Sequence, residues 1–325
     1  MRQIPLDAIT DAARHVYKAA VRTPLVKLDL PFKSSSGPQP EVYLKLESLQ
    51  PIGSFKIRGA WNAVRKLTPG QLQDGVWTVS AGNAAQGVAF AAKLAGVPCS
   101  VMTMDTAPQA KLAAIARLGA TIVQTSYDEC WRTVEAHSSN RMRGHFVHPF
   151  DDDDFIAGNA TAGLEILEDL PDVDAVVAAL GGGGLLAGVG SAIKANKPGV
   201  RIYAAEPETA APLKLSLQRG EASRFDAWRP SFVDGAGGKS VLPSMWPLLE
   251  STVSESIVVT LDEAAAAMKM AAERCRIIIE GAAACAVAAA RSPRIAAAGH
   301  RKVVAVVSGG NIDLSRFAAL TGACV

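Results

Sequence analysis

Short apolar runs alternate with alanine-rich segments along most of the chain. Three such pairs predict a strand and then a helix, at Val76–Ser80 and Ala84–Ala95, at Ser100–Met104 and Ala110–Leu118, and at Ala175–Leu180 and from about Leu185. Further apolar runs predict strands at Ile202–Ala205 and Val303–Val307. Because parallel strands need a crossover between them, strands that alternate with helices predict an α/β fold with a parallel sheet.

Glycines mark where the predicted helices end. The Gly96–Pro98 segment ends one helix, and Gly119 ends the next. Glycine is favoured at such positions because it readily adopts the left-handed conformation that closes a helix. Two alanine-rich helices, Leu261–Arg274 and Ala282–Arg291, offer narrow faces that suit close packing on a sheet.

Three segments read as connections between these elements. Ser, Gly and Pro are concentrated at Ser34–Pro40, and glycines cluster at Gly235–Lys239. Both compositions are typical of loops. The acidic run Asp151–Asp154 fits either a solvated turn or the start of a helix, since acidic residues favour both.

Composition narrows the classes of protein. Of the 325 residues, 49% are hydrophobic and 20% charged, as in ordinary globular proteins. A net charge of +2 with interspersed charges gives no general attraction for nucleic acid. Residues 1–20 lack the apolar core of a signal peptide, and no apolar run reaches the ~18 residues of a membrane helix. Five scattered cysteines without a CxxC pair suggest neither a disulfide framework nor a zinc site. We therefore expect a cytoplasmic protein with no nucleic-acid or membrane partner.

The first segment with catalytic potential, Glu47–Ala60, contains Lys56. Phe55 and Ile57 flank this lysine, so its amine is expected to be partly desolvated. Desolvation lowers the pKa of a lysine and makes the neutral amine available for Schiff-base chemistry. A lone lysine is more often a solvated helix residue, so this segment carries weight only together with others.

Three more segments stand where predicted strands end. Ser80–Gly87 opens a helix, where free N–H groups and the helix dipole attract an anion such as a carboxylate. The four glycines of Gly181–Gly184 allow close approach of a phosphate, although they lack the ending of a nucleotide P-loop. Ser308–Asn311 follows another apolar run. Ligands gather at the carboxyl edge of parallel sheets, so these segments predict one shared crevice.

In this order and spacing, the four segments resemble the signature segments of fold type II pyridoxal-phosphate enzymes. The chain is most similar to the serine and threonine dehydratases and to serine racemase, over about Thr23 to Asp313. The resemblance implies a tryptophan synthase β-like α/β fold with two domains, each an open, mainly parallel sheet flanked by helices. A large cofactor-binding domain is expected from residues 1–75 and 151–325, and a small mobile one from 76–150. Pyridoxal 5′-phosphate is the implied cofactor, and a homodimer the implied assembly.

The resemblance also assigns roles to residues of this chain. Lys56 is implied as the catalytic lysine that holds the cofactor as a Schiff base. The other implied cofactor contacts are Phe55 on the ring, Asn83 at the phenolic oxygen, Ser308 at the pyridine nitrogen, and Gly181, Gly182, Gly183, Gly184 and Leu185 at the phosphate. The loop implied to bind the substrate comprises Ser80, Ala81, Gly82, Asn83 and Gln86.

The implied reaction is β-elimination. A neutral hydroxyl at Ser308 cannot keep a pyridine nitrogen protonated, so the ring is a weaker electron sink and a full carbanion is less favoured. Lys56 would remove the α-proton, and a β-hydroxy L-amino acid such as threonine or serine would yield a 2-oxo acid and ammonia. A racemase or a β-replacement synthase on the same fold is the alternative. Two non-catalytic alternatives also stay open. One is a protein that only binds a nucleotide or the cofactor, and the other is a partner-binding scaffold.

Several positions depart from the family pattern. Serine racemase has a serine at Ala81, and alanine has no proton to transfer, which disfavours racemisation. The segment that begins at Glu206 resembles one that binds a divalent ion in some members of the family. Pro212 stands where that segment has an acidic ligand, and hard cations need several oxygen ligands, so we predict no metal site there. Many dehydratases have His at Ala84 and Gly-Gln-Gly-Thr at Gly158–Thr161. The smaller Ala84 suggests a bulkier β-substituent, such as the phenyl group of phenylserine.

Overall fold

The computed structural model describes residues 2–29 and 40–322, so all but Pro40 of the predicted Ser34–Pro40 loop lies outside the described residues. In chain order the strands are β1 (Leu25–Lys27), β2 (Glu41–Leu46), β3 (Val76–Val79), β4 (Cys99–Met104), β5 (Thr121–Thr125), β6 (His145–Phe146), β7 (Ala175–Ala179), β8 (Arg201–Pro207), β9 (Glu255–Val259) and β10 (Lys302–Val307). The helices are α1 (Leu6–His15), α2 (Lys56–Arg65), α3 (Pro69–Leu72), α4 (Asn83–Ala95), α5 (Gln109–Arg117), α6 (Tyr127–Ala136), α7 (Asp153–Asp169), α8 (Gly184–Asn196), α9 (Pro212–Arg219), α10 (Trp246–Thr252), α11 (Leu261–Met270), α12 (Gly281–Ala290), α13 (Pro293–Ala297) and α14 (Leu314–Thr321). The predicted strands and helices are confirmed, most of them to within a residue or two.

The strands form two sheets. The larger sheet has the order β1-β2-β10-β7-β8-β9 and is parallel except for β1, which pairs with β2 in the antiparallel sense. The smaller sheet has the order β5-β4-β3-β6 and is parallel throughout. Helices flank both sheets, so the predicted fold class is confirmed. The division into a large and a small mobile domain remains a prediction.

The order of the strands reverses once in each sheet. In the larger sheet the chain runs from β7 outward to β8, while β10 pairs with β7 on the opposite side. In the smaller sheet the chain runs from β3 to β4, while β6 pairs with the other edge of β3. Such reversals open a crevice at the carboxyl ends of the strands. The segments after β3, β6, β7 and β10 therefore lie at two crevices.

The buried core explains why the strands have apolar runs. Every residue of β7 is buried, as expected for a parallel strand covered by helices on both faces. One core, with α7 and α8, lies on one face of the larger sheet, and a second, with α11 and α12, lies on the other. Helix α2 packs with α4 in the core of the smaller sheet. This last contact joins the helix that begins at Lys56 to the smaller sheet.

The predicted helix ends are largely confirmed. Gly96 and Gly119 have φ of 72° and 89°, in the left-handed region. Asp152 begins α7, because its side chain accepts a hydrogen bond from the N–H of Phe155 at 2.7 Å. The predicted α-helix Leu261–Arg274 was too long. The α-helix ends at Met270, and the chain continues as a π-helical turn.

Candidate active site

One cavity of about 410 Å³ lies where the two crevices meet. The segments after β3, β7 and β10 all reach it, as does the start of α2. Its lining includes every site residue predicted from the sequence: Phe55, Lys56, Ser80, Ala81, Gly82, Asn83, Gln86, Gly181, Gly182, Gly183, Gly184, Leu185 and Ser308. The structure thus brings these residues together, while their individual roles remain predictions.

Lys56 is placed by backbone hydrogen bonds between two loops. The N–H of Phe55 donates to the Ser308 carbonyl at 3.0 Å, and the N–H of Gly310 donates to the Gly53 carbonyl at 2.9 Å. These bonds fix the turn before α2 against the end of β10. Lys56 therefore begins its helix directly beside Ser308.

Lys56 is half-buried at the cavity, and its amine donates a hydrogen bond to the carbonyl of Pro149. Its Nζ atom lies 5.3 Å from the ring centre of Phe55 and 5.2 Å from that of Phe155. Loss of water around the charged form lowers the pKa of Lys56 to about 7. Near neutral pH a large fraction of this amine is uncharged, as a nucleophile or a base requires.

The glycine loop meets the N-terminus of α8. Gly183 has φ of 97°, and α8 begins at Gly184. A Cβ atom on Gly182 would lie 2.2 Å from the ring of Phe150, and one on Gly181 would lie 2.6 Å from the Gly235 carbonyl. Side chains are therefore excluded, and the free N–H groups of the first turn of α8 face the cavity edge. This arrangement suits a phosphate group.

Ser308 carries an unpartnered polar group. Its side-chain oxygen is buried and has no hydrogen-bond partner within residues 2–29 and 40–322. Leaving a buried hydroxyl unpaired costs about 1–3 kcal/mol, so such a group calls for an explanation. A bound heteroatom in the cavity would satisfy it. The Lys56 amine, the helix start and this hydroxyl together fit pyridoxal phosphate, which has an aldehyde, a phosphate and a ring nitrogen.

The loop after β3 forms a second helix start at the cavity. The N–H of Ser80 donates to the Met102 carbonyl at 3.0 Å, and the N–H of Gly82 donates to the Ser80 hydroxyl at 3.1 Å. Helix α4 begins at Asn83. Free N–H groups at this start favour a carboxylate, in agreement with the predicted role of the loop.

Asn83 forms hydrogen bonds with Asn311 and with Glu280, a cavity residue that was not predicted from the sequence. Its side-chain amide donates to the Glu280 carboxylate at 2.9 and 3.1 Å, and its carbonyl accepts from Asn311 at 2.7 Å. Burial raises the pKa of Glu280 to about 7, although the bond from Asn83 opposes the rise. The run Ile277–Glu280, with one acid after three isoleucines, is the signal that could have indicated it. Asn83 therefore has protein partners in addition to its predicted role at the cofactor.

An apolar surface lines the cavity beyond these groups. It consists of Met102 and Met104 from β4 and of Tyr127, Cys130, Trp131 and Val134 from α6, and we call it the apolar wall. None of these residues was predicted to belong to the site. The four helix residues are spaced i, i+3, i+4 and i+7, which places them on one helix face. That spacing is typical of ordinary core packing, so the sequence alone did not reveal their position.

Glu206 is engaged within the protein. Its two oxygens accept hydrogen bonds from the N–H groups of Leu213 and Lys214, both at 2.8 Å, and from the hydroxyl of Ser256. Burial raises its pKa to about 7. Glu206 therefore has a local hydrogen-bonding role, and the absence of a metal there remains a prediction.

Within the described residues, His137, His148 and Asp151 bring potential metal-ligand atoms within 4.8 Å of one another. These atoms already have partners in the protein. Nδ1 of His148 accepts the N–H of Asp151 at 2.7 Å, and Asp151 pairs with Arg2 at 2.5 Å. The cluster therefore holds the turn that carries Pro149 and Phe150 to the cavity.

In residues 2–29 and 40–322, no helix has the length and apolar character needed to cross a membrane.

Comparisons with known proteins agree with this site. The family model described as pyridoxal-phosphate dependent enzyme matches residues 16–309. L-threonine ammonia-lyase of Thermotoga maritima is 38% identical over 96% of this chain and 77% of the relative. Serine racemase of Dictyostelium discoideum is 35% identical, over 97% of each chain. The structure of maize serine racemase superposes with a TM-score of 0.86 at 31% identity, covering 97% of this chain and 95% of that one.

Proposed function

The chain belongs to the pyridoxal-phosphate dependent enzymes, and from this premise we propose that it is an ammonia-lyase for β-hydroxy L-amino acids. The β-hydroxyl leaves as water, and the released enamine tautomerises to an imine that takes up one water to give the 2-oxo acid and ammonia, so there is no net gain or loss of water. The observation that carries the proposal is the Lys56 amine with its lowered pKa, in the same cavity as the Ser308 hydroxyl, which has no partner within the described residues. In this proposal Lys56 supplies the base, and Ser308 supplies a neutral partner for the ring nitrogen of the cofactor.

Lys56 performs the proton transfer in this proposal. When bound, pyridoxal phosphate supplies an aldehyde for the substrate amine and a ring that draws electrons from the α-carbon. The Lys56 amine, uncharged in large part near pH 7, accepts the α-proton at Nζ. The N–H groups at the start of α4 bind the substrate carboxylate, and those at the start of α8 bind the phosphate.

Ser308 and Ala81 favour elimination over racemisation. Ser308 offers a neutral hydroxyl, which supports negative charge at the α-carbon less than an ionised partner would. Rapid departure of the β-hydroxyl relieves that charge. Racemisation needs a second proton donor on the opposite face of the α-carbon, and Ala81 has no transferable proton at the position where serine racemases have one. The two positions therefore support the lyase.

The test is product analysis with purified, cofactor-loaded protein. L-threonine, L-serine and L-threo-phenylserine are supplied separately, and 2-oxo acid, ammonia and the D-amino acid are quantified. We expect equal amounts of 2-oxo acid and ammonia from at least one substrate. Formation of the D-amino acid without 2-oxo acid would instead establish a racemase.

Lys56→Ala provides the matching variant. Removal of a catalytic base costs about 10²–10⁴-fold in rate, so we expect at least a hundredfold loss of 2-oxo acid formation. Lys93→Ala is the control, because Lys93 is an exposed lysine of α4 outside the cavity lining. Equal activity of Lys56→Ala and Lys93→Ala would refute the role of Lys56.

A further inference from the structure

We propose that the preferred substrate carries an aromatic or similarly large apolar β-substituent, which binds against the apolar wall. This inference rests on the proposed function, because it names the substrate class of that same reaction. The amine at Lys56, the two helix starts, the Ser308 hydroxyl and the group formed by Asn83, Glu280 and Asn311 form polar parts of the lining. The apolar wall, formed by residues of β4 and α6, remains for the substrate side chain.

Helix α6 presents one continuous apolar face to the cavity. Cys130 and Val134 are only 7% and 6% exposed, and Tyr127 stands at the start of the helix with 38% exposure. Met102 of β4 is fully buried and belongs to the same apolar cluster as Cys130 and Val134. The exposed part of this surface belongs mainly to Tyr127, Trp131 and Met104, and a phenyl ring would cover more of it than a threonine methyl group.

A glycine-rich loop borders the same cavity. Gly235, Gly237 and Gly238 contribute backbone to its lining. The ammonium of Lys239, in the same loop, lies 4.5 Å from the ring centre of Tyr127, so this loop and the start of α6 are neighbours. On α4, the buried Ala84 also lines the cavity with a small side chain. The space between these elements is bordered by the apolar wall, by glycine backbone and by Ala84, and Lys111, Asp234 and Lys239 also belong to the lining.

The charges near the apolar wall do not favour an acidic substrate side chain. Lys111 pairs with Asp234, and the Lys239 ammonium lies over the rings of both Tyr127 and Trp228, at 4.5 and 4.3 Å. The six residues of the wall carry no charge. A substrate with a second carboxylate would have to draw Lys239 away from these rings, so such a substrate is the competing outcome of the test.

The first experiment compares kcat/KM of the cofactor-loaded enzyme for L-threo-phenylserine, L-threonine and threo-3-hydroxyaspartate. We expect the phenylserine value to exceed each of the others by at least tenfold. A smaller preference, or a preference for the acidic substrate, would overturn the inference. Threonine turnover without that preference would leave the proposed function intact.

A filling variant tests whether α6 binds the ring. Val134→Phe adds a ring to the apolar wall, whereas Arg132→Phe adds the same ring to an exposed position of the same helix. We expect kcat/KM for phenylserine to fall at least tenfold more than kcat/KM for threonine in Val134→Phe. Arg132→Phe should match the parent protein for both substrates. Equal losses for both substrates in Val134→Phe would contradict the assignment.

Binding without turnover gives a readout that does not depend on the reaction. L-phenylalanine and L-alanine lack a β-hydroxyl, and Trp131 in the apolar wall reports on the site through its fluorescence. We expect L-phenylalanine to bind the parent protein with a Kd at least tenfold below that of L-alanine, and the signal to be lost in Trp131→Phe. If no substrate yields 2-oxo acid but L-phenylalanine binds at least tenfold more tightly than L-alanine, the proposed reaction is wrong and the apolar wall is still supported as a binding site for an aromatic side chain. Equal Kd values for the two amino acids would refute the apolar wall as a side-chain site.

Discussion

Two residues of the cavity have pKa values that burial shifts in opposite directions. Burial lowers the pKa of Lys56 to about 7 and raises that of Glu280 to about 7, since it penalises the charged form of each. Near neutral pH the site therefore offers a neutral amine and a partly protonated acid. Paired shifts of this kind are typical of catalytic sites. The lysine was predicted from its sequence neighbours, whereas the burial of Glu280 depends on distant elements.

Replacing Glu280 should change how stability depends on pH. The folded protein keeps the Glu280 proton up to about pH 7, whereas the unfolded chain loses it near the ordinary pKa of 4.5. The folded state thus binds more protons in this window, and its stability falls as the pH rises through it. Glu280→Gln removes this loss, because glutamine stays neutral.

We therefore expect the free energy of unfolding of Glu280→Gln, relative to that of the parent, to increase by about 1–3 kcal/mol as the pH rises from 5 to 8. Denaturant unfolding at both pH values, at equal cofactor loading, measures the difference. Glu250→Gln, at an exposed position, is the control and should show almost no such trend. A difference between Glu280→Gln and the parent that is the same at both pH values would contradict the raised pKa.

At the scale of elements, buried charges hold α2 in place. Arg58, in the first turn of this helix, is fully buried and pairs with Glu47 and Glu165, both at 2.7 Å. Lys45 of β2 also pairs with Glu165, at 2.7 Å. The sequence predicted neither the helix that begins at Lys56 nor this network, in which Glu165 lies 107 residues from Arg58 along the chain. Periodicity indicates which face of a helix is apolar, and it does not show which distant charges meet.

Arg58→Met should destabilise the protein strongly. The change leaves Glu47 and Glu165 buried without their shared guanidinium, and breaking such pairs costs about 3–5 kcal/mol. Denaturant unfolding measures the loss. Arg294→Met is the matched control: Arg294 pairs with Glu255 at the surface, so little change is expected. Similar effects of the two substitutions would show that the buried network does not anchor α2.

At the scale of the whole molecule, the sequence predicted the α/β class and the convergence of four segments on one crevice. Parallel strands with helical crossovers leave few possible topologies, and their carboxyl ends share an edge. The apolar wall was not predicted, because the i, i+3, i+4, i+7 pattern of α6 is the same for a helix against a core and for one against a cavity. The homodimer and the mobility of the small domain remain predictions.

The most direct test of the central claim is to locate the cofactor on the chain. Holoprotein is treated with sodium borohydride, which converts a cofactor–lysine linkage to a stable amine, and is then digested and analysed by mass spectrometry. The account predicts the cofactor mass on the peptide that contains Lys56 and its loss in Lys56→Ala. Label on a different lysine, or cofactor bound with no labelled peptide, would contradict it.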